Sequence, residues 1–286
     1  TKAGQSRTKA ADDRRQALEQ RDEAPEGDSS RADALDVFAA YGIGAHELHA
    51  AKFTEVADQR HHHKNAEHGA AEHALRYERL ARVLSQHGYI VYADDHRGHW
   101  KTAGTLDKAG ICGPDGWNWM VKDAHQLTGI IKDNHPGLPV FLFGHSMGSM
   151  MAQQYIQNWG EELAGAIFSG STGISLVDAS VIPLAEQAAQ GEAIDQPSEL
   201  FMGLFASVNE PFEPVKTPFD WLSRDELEVQ KYIDDPWCGF VFSNGMTYEF
   251  LKGMVNLFDP TNEARIPKNL SVADRMRRKL RTKRGK

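Results

Sequence analysis

The stretch Val140-Phe141-Leu142-Phe143-Gly144-His145-Ser146-Met147-Gly148 decides how this chain is read. The continuous apolar run 140–143 has the pattern of a strand buried on both faces. The segment 147–159 that follows has helical patterning. Between them lies Gly-x-Ser-x-Gly. A strand that turns directly into a helix forces the central serine into a strained backbone conformation, with its hydroxyl projecting above the sheet edge. Gly144 and Gly148 are required because a Cβ at either position would collide with the neighbouring strand and helix. The N–H of Met147, at the helix start, then points at a developing oxyanion. Ser146 is the candidate nucleophile, and Gly144, His145 and Gly148 complete its turn.

The flanking sequence alternates in the same way. Residues 72–87 place Leu75, Leu80, Val83 and Leu84 near one helical face and stop at Gly88. Residues 89–93 predict a short buried strand. Residues 117–134 predict a helix ending before Pro136-Gly137, and 164–168 another strand, closed by Ser169-Gly170-Ser171. Strand-helix alternation at this spacing argues for an α/β fold with a mostly parallel sheet flanked by helices. Residues 173–258 lose that rhythm and read as a mainly helical insertion. No Gly-x-Gly-x-x-Gly follows a strand, so no nicotinamide or flavin is expected, and nucleophilic chemistry needs no metal.

Composition bounds the rest. The chain has 286 residues, a net charge of −8, 41% hydrophobic and 25% charged residues. A core can be built, yet the mean hydropathy of −0.52 shows that part of the chain stays outside it. Residues 1–34 hold 15 charged residues and one large apolar residue, Leu18. The expectation is a low-complexity N-terminal segment over 1–67, with His61-His62-His63 in a solvated loop. Residues 275–286 hold eight Lys and Arg and no acid, so 271–286 reads as a basic disordered tail. No apolar run is long enough to cross a membrane, and no secretory leader is evident. Cys112 and Cys238 are too few for a disulfide framework or a structural zinc site, so a cytoplasmic location is expected.

A second donor for the oxyanion lies upstream. In sites of this kind it comes from a loop after an earlier strand, often opened by His-Gly. His68-Gly69-Ala70-Ala71-Glu72-His73 fits, and Ala70 would be the donor. Glu72 and His73, taken singly, read as parts of a polar loop that caps the next helix.

These motifs, with Arg76-Tyr77, Asp95-His96-Arg97-Gly98-His99, the 219–226 stretch Phe-Asp-Trp-Leu-Ser-Arg-Asp-Glu and Asp235-Pro236-Trp237-Cys238-Gly239-Phe240, occur in a telling order. Over about 68–270 the chain resembles the monoacylglycerol lipase/lysophospholipase branch of the α/β-hydrolase superfamily. The resemblance implies an α/β-hydrolase core at 68–172, a helical cap over an acyl-binding pocket at 173–258, and a return to the core at 259–270. It implies a serine esterase acting on a small acyl-ester or lipid substrate. Ser146 would be the nucleophile, and Ala70 and Met147 the oxyanion hole. Transient membrane-surface contact fits such a substrate; nucleic acid does not.

The departures are equally informative. Trp100 stands where the family usually has glycine. The segment before His68, Arg60-His-His-His-Lys-Asn-Ala-Glu, makes a poor buried strand, so the sheet is expected to be incomplete at both ends. No histidine follows His145, so the order Ser, acid, His is not completed within these residues. Impaired turnover is therefore expected. The competing reading is a non-catalytic fragment or binding scaffold, with ends of the kind that a wrong reading frame produces. His96 and His99 are expected to order their loop by hydrogen bonds rather than to replace the missing base.

Overall fold

Backbone pairing, more than side-chain character, sets the extent of the central sheet. The structure is a computed structural model that describes residues 50–53, 62–172 and 178–275. Expectations for 1–49, 54–61, 173–177 and 276–286 fall outside those residues. Six strands form one sheet: β1 (Ala50–Phe53), β2 (His62–Glu67), β3 (Tyr89–Asp94), β4 (Val140–His145), β5 (Gly165–Ser169) and β6 (Val272–Arg275). Their order is β1-β3-β2-β4-β5-β6. The five strands β2 to β6 run parallel, and β1 pairs antiparallel with β3.

The strands expected at 89–93, 140–143 and 164–168 are present, each within two residues of those bounds at either end. The two ends differ from expectation. The segment read as a poor strand forms β2, in the middle of the sheet, with Lys64 opposite both Val91 and Phe141. His62 and His63 belong to this strand rather than to a loop. Likewise Val272–Arg275, read as the start of a tail, pairs with β5, so the sheet reaches further than expected on both sides. The physical reason is the same in both places. Backbone N–H and C=O groups bond to a neighbouring strand whatever the side chains are, on both edges for β2 and on the one edge facing β5 for β6. Apolar periodicity does not register that gain.

Helices cover the sheet. Residues Ala74–Tyr77 form a 3₁₀ turn before α1 (Glu78–Gln86). That turn resets the helical phase, so Leu75 and Val83 are exposed and Ala81 is the buried residue of α1. The long helix α2 (Gly116–Asn134) and α3 (Met147–Trp159) match their expected spans. Leu127 and Ile131 of α2 pack with Leu142 of β4 and Met151 of α3 in one core, each fully or almost fully buried. Each contributes about 2 kcal/mol by burial. That outweighs surface pairs such as Lys132 with Glu162, which contribute at most about 1 kcal/mol each.

Residues 178–258 carry α4 (Ile182–Ala188), α5 (Glu199–Leu204), α6 (Glu226–Asp234) and α7 (Asn244–Leu257). No strand occurs among the described residues of this segment. It has no separate core: Phe201, Phe242, Met246, Met254 and Leu257 pack into the same cluster as the sheet. Helix α7 passes so close to α2 that a Cβ at Gly253 would lie 2.4 Å from the Trp117 ring. Gln157 Nε2 of α3 donates to Leu257 O at 2.8 Å. No described helix is long and apolar enough to cross a membrane.

Candidate active site

The turn from β4 into α3 has the geometry that its sequence demands. Ser146 sits at φ 51°, ψ −121°, a conformation that L-residues rarely adopt. Such strain costs about 1–3 kcal/mol and persists only where the surroundings enforce it. They do so here. A Cβ at Gly144 would lie 2.3 Å from Gly148 O, and a Cβ at Gly148 would lie 2.3 Å from Glu67 O. Neither glycine is replaceable without moving backbone. Ser146 N–H donates to Ser169 O at 2.9 Å, and Ser149 Oγ donates to Ser146 O at 2.6 Å. The turn is thus fastened to β5 and to the first turn of α3.

The loop after β2 lies against this turn. A Cβ at Gly69 would stand 3.3 Å from Ser146 Cβ. Among the described residues, the N–H groups of Ala70 and Met147 have no hydrogen-bond partner. The expected helix-capping role of Glu72 and His73 is not found: His73, which precedes the 3₁₀ turn, makes no side-chain cap bond, and α1, whose N-cap is Tyr77, has none either. The Glu72 carboxylate accepts from Gly69 N–H at 2.7 Å, Tyr77 OH at 2.7 Å and Arg76 Nε at 3.0 Å. It therefore holds the loop from inside. Read singly, neither residue signalled this, although the spacing Glu72, Arg76, Tyr77 before a helix was visible.

The same loop is tied to the 178–258 segment. Ala71, at φ 52°, has a carbonyl that accepts from Tyr232 OH and from Gly239 N–H, both at 2.9 Å. His73 Nε2 lies 2.9 Å from Asp235 Oδ2, with Cys238 alongside. The neighbourhood of His73 and Cys238 was not legible in the sequence, because the two lie more than 160 residues apart along the chain. Burial pushes the Cys238 thiol far above its ordinary range. Cys112 is raised to about 12 for the same reason, so neither thiol is a ready nucleophile.

The histidines around the serine are committed elsewhere. His68 Nδ1 donates to Gly69 O at 2.7 Å, and its Nε2 accepts from His96 N–H at 3.1 Å. His99 Nδ1 donates to Arg97 O at 3.1 Å, and its Nε2 accepts from Ala71 N–H at 3.2 Å. Burial, with His96 beside both rings, lowers His68 well below the usual imidazole range and His99 to about 3. These rings are neutral clips that join loops. His145 lies against Ser169 Oγ at 3.2 Å and against Tyr77. Among the described residues no side chain hydrogen-bonds the Ser146 hydroxyl. Trp100 adopts φ 29° and places its ring 4.6 Å from that of His73. A positive φ of this kind is adopted more readily by glycine than by tryptophan.

The family model for serine aminopeptidase S33 matches residues 66–275. The chain belongs to the serine aminopeptidase S33 family of α/β-hydrolases. Within it, a monoglyceride lipase homolog of Monkeypox virus is 31% identical over 169 residues, which cover 59% of this chain and 54% of that protein. The human monoglyceride lipase is 41% identical over 85 residues, 30% of this chain and 26% of that protein. The chain thus spans about half, or less, of these relatives. Among solved structures, a thermostable carboxyl esterase from Bacillus coagulans superposes with a TM-score of 0.70 at 30% identity, covering 78% of this chain and 73% of that one. The lineage is that of monoglyceride-lipase-like serine hydrolases.

Proposed function

We propose that the chain derives its site from a hydrolase of monoacylglycerol or lysophospholipid esters. In this reading Ser146 Oγ attacks the ester carbonyl, and the N–H groups of Ala70 and Met147 receive the oxyanion. Water then releases the acyl group. The observation that carries the reading is the strained Ser146 between two glycines that admit no Cβ, facing a loop with an unengaged N–H. The similarity to monoglyceride lipases supports acylglycerol esters as the substrate class. The apolar residues Leu184, Met202, Phe205 and Leu227, exposed on the 178–258 segment, suit a lipid-like substrate.

The chain in these 286 residues is a poor catalyst in this reading. Among the described residues the Ser146 hydroxyl has no hydrogen-bonded acceptor for its proton, since the Nε2 lone pairs of His68 and His99 already accept backbone N–H groups. Catalysis then falls to the roughly 10³–10⁴-fold over water that an oxyanion hole and binding supply alone. The second reading, a non-catalytic binding scaffold, is favoured by that same commitment of the histidines. A fluorophosphonate probe, a short-chain nitrophenyl ester and a monoacylglycerol separate the two. Slow labelling of folded protein that Ser146→Ala abolishes supports an impaired hydrolase. No labelling supports the scaffold. Turnover at about 1 s⁻¹ or faster shows that a base is present and overturns the claim of impairment. Hydrolysis confined to peptides overturns the ester assignment.

A further inference from the structure

At the C-terminal ends of β2 and β3, three buried side chains meet with acceptors only. Glu67 ends β2, Asp94 ends β3, and His96 follows two residues later; all are at most 1% exposed. His96 Nδ1 lies 3.7 Å from Glu67 Oε2 and 3.5 Å from Asp94 Oδ2. One atom from each residue falls within 4.8 Å of the other two. Among the described residues, Glu67 Oε1, Glu67 Oε2, Asp94 Oδ1 and His96 Nδ1 have no hydrogen-bond partner. The His96 tautomer is fixed from outside the cluster. Its Nε2 faces His68 O at 3.2 Å, and a carbonyl oxygen only accepts, so Nε2 carries the proton. The Nδ1 lone pair therefore points at two carboxyl groups. Arg97, next in the chain, is already engaged with Asp123 through two bonds of 2.6 and 3.0 Å.

Converging acceptors in a dry interior repel one another unless positive charge lies between them. We propose that Glu67, Asp94 and His96 bind one divalent cation of the zinc class. One imidazole nitrogen and two carboxylates suit zinc, and donor separations near 3.5 Å are about the edge of a tetrahedron with bonds of roughly 2.1 Å. Calcium and magnesium prefer all-oxygen sets. A histidine that donates its other N–H to a backbone carbonyl has the outer arrangement that metal-bound histidines use. The cation would join the ends of two adjacent strands, just before the loops that carry Ala70 and His99. Its role is structural, because it would tie two neighbouring strand ends together in the buried interior. The proposal stands apart from the hydrolase reading. The competing occupant is a proton: burial and the neighbouring Asp94 push the Glu67 carboxyl well above its ordinary range.

The test uses the untagged 286-residue chain, stripped with chelator, loaded with zinc and desalted. One zinc per folded chain is expected. Glu67→Gln and Asp94→Asn should each lower zinc affinity by about tenfold or more. The thermal midpoint of the wild type should rise by roughly 5–10 °C when free zinc is about 100-fold above Kd. Zinc-edge X-ray absorption of the wild type should show imidazole nitrogen and carboxylate oxygen without sulfur, and this decides the matter if the variants do not fold. Folded protein that retains no zinc overturns the proposal and leaves the proton. Retention unchanged in both variants overturns it. So does a sulfur ligand, which would point to Cys238, or loss of zinc on replacing only His61, His62 and His63 by alanine.

Discussion

The ends of β4 and β2 lie side by side, yet they meet their surroundings in opposite ways. At the end of β4, an apolar strand hands over to Gly-His-Ser-Met-Gly, and each residue matches its steric demand. At the end of β2, a polar strand delivers Glu67 into the core, fully buried and without a hydrogen-bond partner among the described residues. The two touch directly, since the space denied to a side chain at Gly148 is occupied by Glu67 O. Backbone geometry can therefore be satisfied at a position whose side chain is not. The sheet places the strand, and the side chain must then find its own partner or cost free energy.

The largest expected effect breaks the well-fitted side. Gly148→Ala drives a Cβ into the Glu67 and His68 carbonyls and should cost about 3 kcal/mol or prevent folding. Urea unfolding measures it; a loss below about 1 kcal/mol would mean that the contact relaxes freely.

The ill-fitted side should respond in the opposite sense. In metal-free protein, Glu67→Met replaces an unpartnered acid by an apolar side chain of similar length and should stabilise by about 1–4 kcal/mol. The gain should depend on pH. Burial raises the folded-state pKa of Glu67, and also that of Asp95, the latter to about 6. A raised carboxyl pKa means that the folded chain binds the proton more tightly than the unfolded chain. The stability it contributes is fully present below the unfolded value, near pH 4, and is lost as the pH rises through the folded value. The advantage of Glu67→Met over wild type should therefore be smallest near pH 4 and widen as the pH rises from there toward the raised folded value. A constant gap across that range would show that Glu67 does not titrate in the fold.

The link between the two turns is Glu72. Glu72→Ala removes the acceptor of Gly69 N–H, Tyr77 OH and Arg76, and should cost about 2–3 kcal/mol. It should also slow fluorophosphonate labelling of Ser146, because the Ala70 loop loses its internal tie. Labelling at the wild-type rate in a folded variant would separate the loop from the oxyanion.

The smallest effect concerns Trp100. Trp100→Gly relieves a positive φ and loses the ring contact with His73, for a net stabilisation of about 0.5–1 kcal/mol in thermal unfolding. A net loss would mean that the indole packing outweighs the backbone strain.

The half of the site that was legible in the sequence is the half built from local demands. Gly144, Ser146 and Gly148 announce a strand-to-helix turn because the turn is made of consecutive residues with fixed steric needs. Apolar runs at 89–93 and 140–143 announce strands for a similar reason. The roles of Glu72 and His73 were not legible, since His73 meets Asp235 from far along the chain and Glu72 meets Gly69 and Tyr77 across a turn whose shape the sequence does not state. Strands β2 and β6 were missed because periodicity reports burial of side chains, whereas these strands are held through backbone bonds to neighbours.

By itself, then, the sequence determined the nucleophile turn and the parallel strand-helix alternation. Each of these depends only on residue order and local sterics. The sequence led to the expectation that His99 orders its loop; tertiary structure alone decided which backbone groups His68 and His99 engage, that Glu72 fastens the loop beneath Ser146, and that Glu67, Asp94 and His96 converge. Those outcomes depend on which strands become neighbours. Two strand ends far apart in the chain come within hydrogen-bonding distance only after the sheet has formed, and only then do buried acceptors acquire, or lack, a counter-charge.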